Sequence, residues 1–263
     1  MYTFSMSPPM DQPPKSIIGQ WSMPDLKLRK TVPHPKQPLC HGAFFVPQLL
    51  SKYDCQRLTQ LLPTREKQVP VGFQGYQDSG AIGSFRSNAW SPSFAQELWK
   101  LCALYFQNTP PMKDHTPTDW FAMGSRKAHR VWEAIGVSPL MRFMCYPNGG
   151  QHLPHYDMGY DYGDGRRTLM SVVLYLNDIL PSEGGQTRFI DDRQAHIHAS
   201  ERNYKDWKRP ASTAEIISSV QPSCGGALFF YHRLCHDVSP YTAAHYRYIL
   251  RTDIIFRAHD HSV

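Results

Sequence analysis

"TLMSVVLYLN" (residues 168–177) decides how this chain folds. The run is short and dominated by apolar, β-branched and aromatic side chains, with glycine, arginine and aspartate clusters on either side, so it reads as a strand. Five further runs of the same character surround it: "LMRFMCY" (140–146), "QTRFI" (186–190), "EIISSV" (215–220), "ALFFYH" (227–232) and "RYILRTDIIF" (247–256). They are separated by Gly, Pro, Ser and Asp clusters. Six such runs in the C-terminal half predict an α+β domain that is mainly β, a sandwich or jelly roll.

Upstream the pattern changes. A short strand is expected at 43–46, followed by a helix whose start is marked by Ser51-x-x-Asp54 and whose length is limited by Pro63. A second helix is predicted behind Ser93-x-x-Gln96, because Phe94, Leu98, Leu101, Cys102 and Tyr105 recur on one face. The stretch 108–136 is irregular, apart from a short helix expected around 126–135. Eight of the first 38 residues are proline, which implies an extended arm packed on the domain. Residues 191–213 form a long polar insert between strands, of the length that usually serves function or motion.

Composition bounds the function classes. A chain of 263 residues with 41% hydrophobic, 13% aromatic and 19% charged residues folds around one sizeable core. The net charge of +6 is scattered, with no long basic run, so it argues only weakly for nucleic acid. The six cysteines contain no C-x-x-C pair and read as reduced, mostly buried thiols. The first fifteen residues have neither the basic start nor the apolar stretch of a signal peptide, and no window approaches a membrane span. The expectation is an intracellular protein, cytoplasmic or nuclear, with no membrane partner.

The chemistry concentrates in "QHLPHYDMGYDYGDGRR" (151–167). Two imidazoles and one carboxylate on one face of a metal leave the remaining positions open for substrate and oxygen. His155 and Asp157, two positions apart on a strand or strand end, can point at one ion while Tyr156 points away. The spacing alone is unspecific: with 13 histidines and 16 aspartates, roughly one H-x-D arises by composition. The third ligand therefore decides. His236 follows an apolar strand and is preferred, with His232 as its competitor; His196, His198 and His245 sit in loops without a strand to fix them.

The run from Leu140 to Phe256 resembles the iron(II)- and 2-oxoglutarate-dependent dioxygenase superfamily, in its prolyl 4-hydroxylase-like branch. The motifs that carry the resemblance are "CYPNGG" (145–150), "HYD" (155–157), "LYLND" (174–178), "EGGQTRF" (183–189), "GGALFF" (225–230) and "HDVSP" (236–240) followed by "RY" (247–248). The "GDGR" at 163–166 is similar to a loop of the hypoxia-sensing prolyl hydroxylases.

The resemblance implies a double-stranded β-helix, a jelly roll, with supporting N-terminal helices: a proline-rich arm at 1–40, then a dioxygenase domain at 41–263, with helical support over 41–136 and the β core over 137–257. It implies that His155, Asp157 and His236 bind iron(II), that Arg247 pairs with the distal carboxylate of 2-oxoglutarate, and that Tyr175 and Tyr146 help hold the co-substrate. Arg247 lies eleven positions after His236, where the family's basic residue lies nine or ten after, so Arg251 is kept as its alternative. Positions 247, 249 and 251 share one strand face, and register alone does not separate the two arginines.

The implied activity is hydroxylation of a prolyl or other amino-acid side chain in a protein, peptide or amino-acid substrate, with O2 as co-substrate, ascorbate as helper, and release of succinate and CO2. Two alternatives stand beside it: an oxygenase acting on nucleic acid or a small molecule, and a non-catalytic binding protein that keeps the fold. Arg142 has two readings, a cavity-facing cation for co-substrate or acidic substrate and a paired arginine. Trp207 and its neighbours, a potential clamp for a peptide or base, are expected to be solvated loop. His152, Asp161 and Asp164 read as polar loop, Tyr160 and Tyr162 as substrate contacts, and the 191–213 insert as a cover for the jelly roll.

Overall fold

The structure is a computed structural model, and it describes residues 20–63, 68–70, 81–107, 112–113, 131–194, 197 and 209–259. In chain order the strands before the second helix are β1 (Gln20–Trp21), β2 (Gln37–Cys40), β3 (Ala43–Val46), β4 (Val69–Pro70), β5 (Ala81–Ile82) and β6 (Phe85–Trp90). Helix α1 (Lys52–Gln60) lies between β3 and β4, and α2 (Pro92–Cys102) follows β6. The rest are β7 (Met112–Lys113), β8 (Val131–Val137), β9 (Leu140–Tyr146), β10 (Gln151–His155), β11 (Arg166–Tyr175), β12 (Thr187–Ile190), β13 (Ile216–Val220), β14 (Ala227–Tyr231), β15 (His236–Val238) and β16 (Arg247–His259).

Two sheets face each other. The major sheet runs β1-β6-β9-β16-β11-β14-β3-β2, with β4 added on β6 and the pair β7-β8 on the end of β16; the minor sheet runs β13-β12-β15-β10-β5. All pairings are antiparallel except β1 with β6. This is the mainly β jelly roll expected from the strand runs.

Side-chain alternation along the central strands builds two cores. On β11, Met170, Val172 and Leu174 point to the helical side, where they join Phe229, Leu250, Ile254 and Phe256 with Leu58, Phe94 and Leu98 of the helices. Val173 and Tyr175 point to the space between the sheets and pack with Tyr146, Phe189, Phe230, Val238, Tyr241 and Ile249. Strands β11 and β14 are therefore largely apolar on both faces, which is why these runs read as nearly continuous hydrophobic stretches. The alternation also sends Arg247, Arg251 and Asp253 of β16 to the inner side.

Local signals set the element ends. Ser51 caps α1, its side chain accepting the Asp54 amide. Helix α2 begins earlier than its sequence signature suggested: Ser91, not Ser93, accepts the Phe94 amide, and Pro92 takes the first turn, where its missing N–H costs nothing. The helix expected around 126–135 is not borne out where the chain is described, since Val131–Val137 is strand β8, hydrogen-bonded to β16 and β7. A long sheet edge offering partners outweighs the helix preference of Glu133 and Ala134. Residues 126–130 lie outside the described residues.

The arm's residues from 20 to 40 run over the domain, with Met23 and Leu26 buried in the helical core and 37–40 paired to β3. All six cysteines carry free thiols, four of them buried. Among the described residues no helix is long and apolar enough to cross a membrane.

Candidate metal and co-acid site

His155 ends β10 and His236 begins β15, and the register pairs them directly across the minor sheet. Each imidazole is oriented from behind by a backbone carbonyl: His155 Nδ1 lies 2.8 Å from Leu153 O and His236 Nδ1 lies 2.9 Å from Leu234 O. Protonation at Nδ1 leaves Nε2 as the lone-pair nitrogen of both rings. Asp157, in the turn after β10, is tied down by its amide to His232 O at 3.2 Å. Its Oδ1 stands 3.8 Å from His155 Nε2 and its Oδ2 3.7 Å from His236 Nε2.

One ligand atom from each of the three residues lies within 4.8 Å of the others, so a single cation can bridge them. Among the described residues this is the one cluster of its kind. Burial and the neighbouring His236 push the His155 pKa down to about 3, so the ring is neutral and able to donate its lone pair at neutral pH. Burial would raise the pKa of Asp157, but Arg251 and the nearby imidazoles outweigh it and hold the carboxyl well below its usual range.

His232 is not part of this cluster. It is buried, and its Nε2 faces Asp253 Oδ1 at 3.2 Å. His152 departs from its reading as polar loop: it lies on β10, and its ring stacks on that of His155 with centroids 3.7 Å apart. The cause is a bulge. Three steps along β10, from His152 to His155, match two along β15, from Val238 to His236, and the extra residue brings both rings to one side. Pro154, which has no N–H to give a neighbouring strand, is the residue of "QHLPH" that fits such a bulge.

The two arginines of β16 have opposite surroundings. Arg247 is fully buried, its guanidinium 4.7 Å from the Tyr146 ring and 5.7 Å from the Tyr175 ring. Its Nη2 lies 3.4 Å from Thr187 Oγ1; Nε and Nη1 have no hydrogen-bond partner among the described residues. The Tyr175 hydroxyl donates to the same Thr187 oxygen at 2.8 Å. Gly185, in the left-handed region at φ +67°, passes so close that a Cβ there would lie 3.0 Å from Arg247 Cδ.

Arg251 is already engaged, with Nη1 3.0 Å from Asp157 Oδ1 and Nη2 3.2 Å from Ser171 Oγ. Arg142 takes the paired reading, at 2.9 Å from Asp253 Oδ2.

An ionised guanidinium buried with two of its three nitrogens unpaired is costly in isolation. Arg247 therefore fits an anion that enters between the sheets, and a carboxylate meets its planar fork with two parallel hydrogen bonds.

The remaining expectations sort simply. Asp161 pairs with Arg167 and Asp164 with Arg166, both at 2.7 Å, as a polar loop does. Tyr162 is buried and Tyr160 half-buried against it. At the described ends of the insert, Asp192 accepts the Tyr156 hydroxyl and Arg209 binds Glu215. Asp192, Arg209 and Glu215, together with Pro154, Ile190, Asp191, Arg193, Gln194 and Ala211, line a cavity of about 210 Å³. Trp207 lies outside the described residues.

Residues 141–252 match the family model described as the 2OG-Fe(II) oxygenase superfamily, a segment running from β9 into β16. Solved structures with similar folds include a Pseudomonas putida prolyl-4-hydroxylase, at 17% identity over 81% of this chain and 92% of that one, with a TM-score of 0.48. A Trichoplax adhaerens prolyl hydroxylase in complex with a peptide fragment of the hypoxia inducible factor oxygen degradation domain is 15% identical, over 81% and 83% of the two chains, with a TM-score of 0.48. HygX from Streptomyces hygroscopicus, with nickel and 2-oxoglutarate bound, is 12% identical over 82% of each chain, again with a TM-score of 0.48. No curated protein matches by sequence.

Proposed function

We propose, for a chain whose residues 141–252 match the family model of the 2OG-Fe(II) oxygenase superfamily, that His155, Asp157 and His236 hold iron(II) and that Arg247 takes the distal carboxylate of 2-oxoglutarate. The observation that carries this reading is the pairing of a three-ligand cluster with a buried, under-bonded guanidinium in the same inter-sheet space. Tyr146 lies against the Arg247 guanidinium, its ring 4.7 Å away, and burial raises its pKa against the pull of that charge.

Iron(II) bound there would supply the oxidising chemistry that couples decarboxylation of 2-oxoglutarate to succinate with insertion of one oxygen atom from O2 into a substrate C–H bond. The chain's own groups do the rest. Arg247, Thr187 and the Tyr175 hydroxyl orient the co-substrate by its far end, and burial drives the Tyr175 pKa up to about 12, so that the phenol remains a donor. Phe189, Phe230 and Ile249 keep water from the space between the sheets. The carbonyls of Leu153 and Leu234 hold the two imidazoles in the tautomer that can bind a metal.

The substrate class proposed is a prolyl or other amino-acid side chain in a protein, peptide or free amino acid. Its support is the likeness of "CYPNGG", "HYD" and "GDGR" to the prolyl hydroxylase branch. Met158, 72% exposed beside Asp157, and half-buried Tyr160 offer apolar contact near the cluster. Ascorbate is expected to sustain turnover, and the six free thiols fit a reducing compartment such as cytoplasm or nucleus.

Incubation with iron(II), ascorbate and 2-oxoglutarate tests the reading by succinate release, first alone and then with peptides, amino acids, nucleic acids and small molecules. Wild type is expected to exceed His155→Ala/Asp157→Ala, most strongly with a peptide or amino acid. Stimulation by nucleic acid alone moves the substrate class, and equality with the double variant in every mixture overturns catalysis.

A further inference from the structure

We propose that Arg251 is the positioning residue of the Asp157 carboxylate, holding its lone pairs toward the space between His155 and His236, and that Asp253 anchors Arg251 for that task. The inference rests on the reading of His155, Asp157 and His236 as the metal site.

The geometry is a closed triangle. Arg251 Nη1 meets Asp157 Oδ1 at 3.0 Å, Arg251 Nη2 meets Ser171 Oγ at 3.2 Å, and Ser171 Oγ donates to Asp157 Oδ2 at 2.5 Å. Each carboxylate oxygen thus has one outer partner. With about two lone-pair directions per oxygen, one remains on each for the imidazole side. A carboxylate gripped at both oxygens cannot rotate freely, so its lone pairs stay aimed at the space between His155 and His236. Arg251 sets a positive charge against that carboxylate before any cation arrives.

A second layer explains why Arg251 stays in place. Its direct neighbour across β9 and β16 is Arg142, and like charges directly opposite repel. Asp253, two positions along β16 on the same face, sits against both: Arg142 Nη1 at 2.9 Å and Arg251 Nη2 at 3.5 Å, with His232 Nε2 at 3.2 Å. The chain Arg142–Asp253–Arg251–Asp157, with both carboxylates buried and both arginines half-buried, alternates in sign, two cations with two anions. Ser171 faces Asp253 on the other side of β16, so three adjacent strands, β9, β16 and β11, converge on one carboxylate ligand.

These contacts separate the two arginines that sequence left as alternatives. Arg251 has carboxylate partners on this chain, whereas Arg247 has none among the described residues. The role assigned to Arg251 is to act through Asp157, without touching co-substrate.

Cobalt(II) binding to the full chain tests this, read by titration calorimetry and by the visible absorption of the bound ion. Arg251→Met is expected to weaken cobalt affinity about ten- to a hundred-fold, the usual loss for an outer partner of a metal ligand, and to alter the absorption. Arg251→Lys should recover part of the loss. Arg247→Met should bind cobalt within about twofold of wild type, because it touches no ligand. Should Arg251→Met fail to fold, Asp253→Asn carries the test, expected to weaken cobalt about ten-fold by releasing the anchor. Wild-type affinity and spectrum in a folded Arg251→Met, or in Asp253→Asn where Arg251→Met does not fold, overturn the inference. Failure of the underlying reading looks different: wild type then binds no cobalt, or His236→Ala binds it equally well.

Discussion

The guanidinium of Arg247 rests 4.7 Å from the centre of the Tyr146 ring, and the two residues are direct register partners across β16 and β9. The aromatic face offsets part of the cost of burying that charge, in the range of about 0.5–2 kcal/mol for such contacts, but it accepts no hydrogen bond in the guanidinium plane. Replacing Arg247 by methionine should therefore leave the apo protein no less stable. Addition of millimolar 2-oxoglutarate with a redox-inert metal should raise the wild-type melting temperature and leave that of Arg247→Met unchanged. Arg251→Ala should retain a co-substrate shift once metal is saturating; loss of it there and retention in Arg247→Met would exchange the two roles.

Gly185 governs how closely the chain passes this guanidinium. Its φ is +67°, and a methyl group added at its Cα would meet Arg247 Cδ at 3.0 Å and the Tyr241 ring at 3.2 Å, so both side chains would have to give by a few tenths of an ångström. Gly185→Ala is expected to cost about 1 kcal/mol of stability from backbone strain. It should also weaken 2-oxoglutarate affinity about ten-fold, the equivalent of roughly 1.4 kcal/mol, while cobalt affinity holds. Chemical denaturation and co-substrate titration on one preparation check both parts.

Much of this site was legible in the chain. Strands at 140–146 and 43–46 begin and end where their composition says, because Val, Phe, Tyr and Met runs bounded by Gly or Pro have few alternatives in a two-sheet core. His155, Asp157 and His236 come together in one cluster, a grouping that the resemblance implied and that spacing alone left open between His236 and His232. What could not be read depends on register. That Arg251 meets Asp157 and Arg247 meets Tyr146 follows from how β9, β11 and β16 align, and both arginines occupy the same face. Strand β8 was misread because Glu133 and Ala134 favour a helix locally, while their partners on β16 are about 120 residues away. Non-local pairing decides there, and no window contains it.

The depressed pKa of His155 fixes how acid affects the apo fold. In the unfolded chain the ring takes its proton near pH 6.5, whereas in the folded site it does so only near pH 3, through burial and His236. Between these values the unfolded state binds the extra proton, so stability falls as pH drops from about 6.5 toward 3 and is fully present above that window. Metal bound to the same nitrogen should protect against this loss. Melting temperatures of apo and cobalt-loaded protein should diverge as pH falls from 7 to 5. In His155→Gln the apo curve should be flatter than that of wild type over this interval; an equal slope in both would refute the assignment of the pH effect to this ring.

Helix α2 offers a test of how its start is set. Ser93 carries the sequence signature of a cap, yet Ser91 accepts the Phe94 amide at 3.3 Å, and the Ser93 hydroxyl instead turns outward to Asp25. Ser91 is also buried, beneath the same end of the helix that lodges Phe94 in the core. Removing its hydroxyl leaves an amide without its partner where water does not reach, so Ser91→Ala should cost about 1 kcal/mol, within roughly 0.5–2. Ser93→Ala loses an exposed contact to the arm and a long 3.4 Å contact to the Ser91 hydroxyl, and should stay within about 0.5 kcal/mol of wild type. Urea denaturation of the two variants separates them. A larger loss at Ser93 would place the helix start two residues later, and with it the turn that delivers Phe94 beneath β8 and β16.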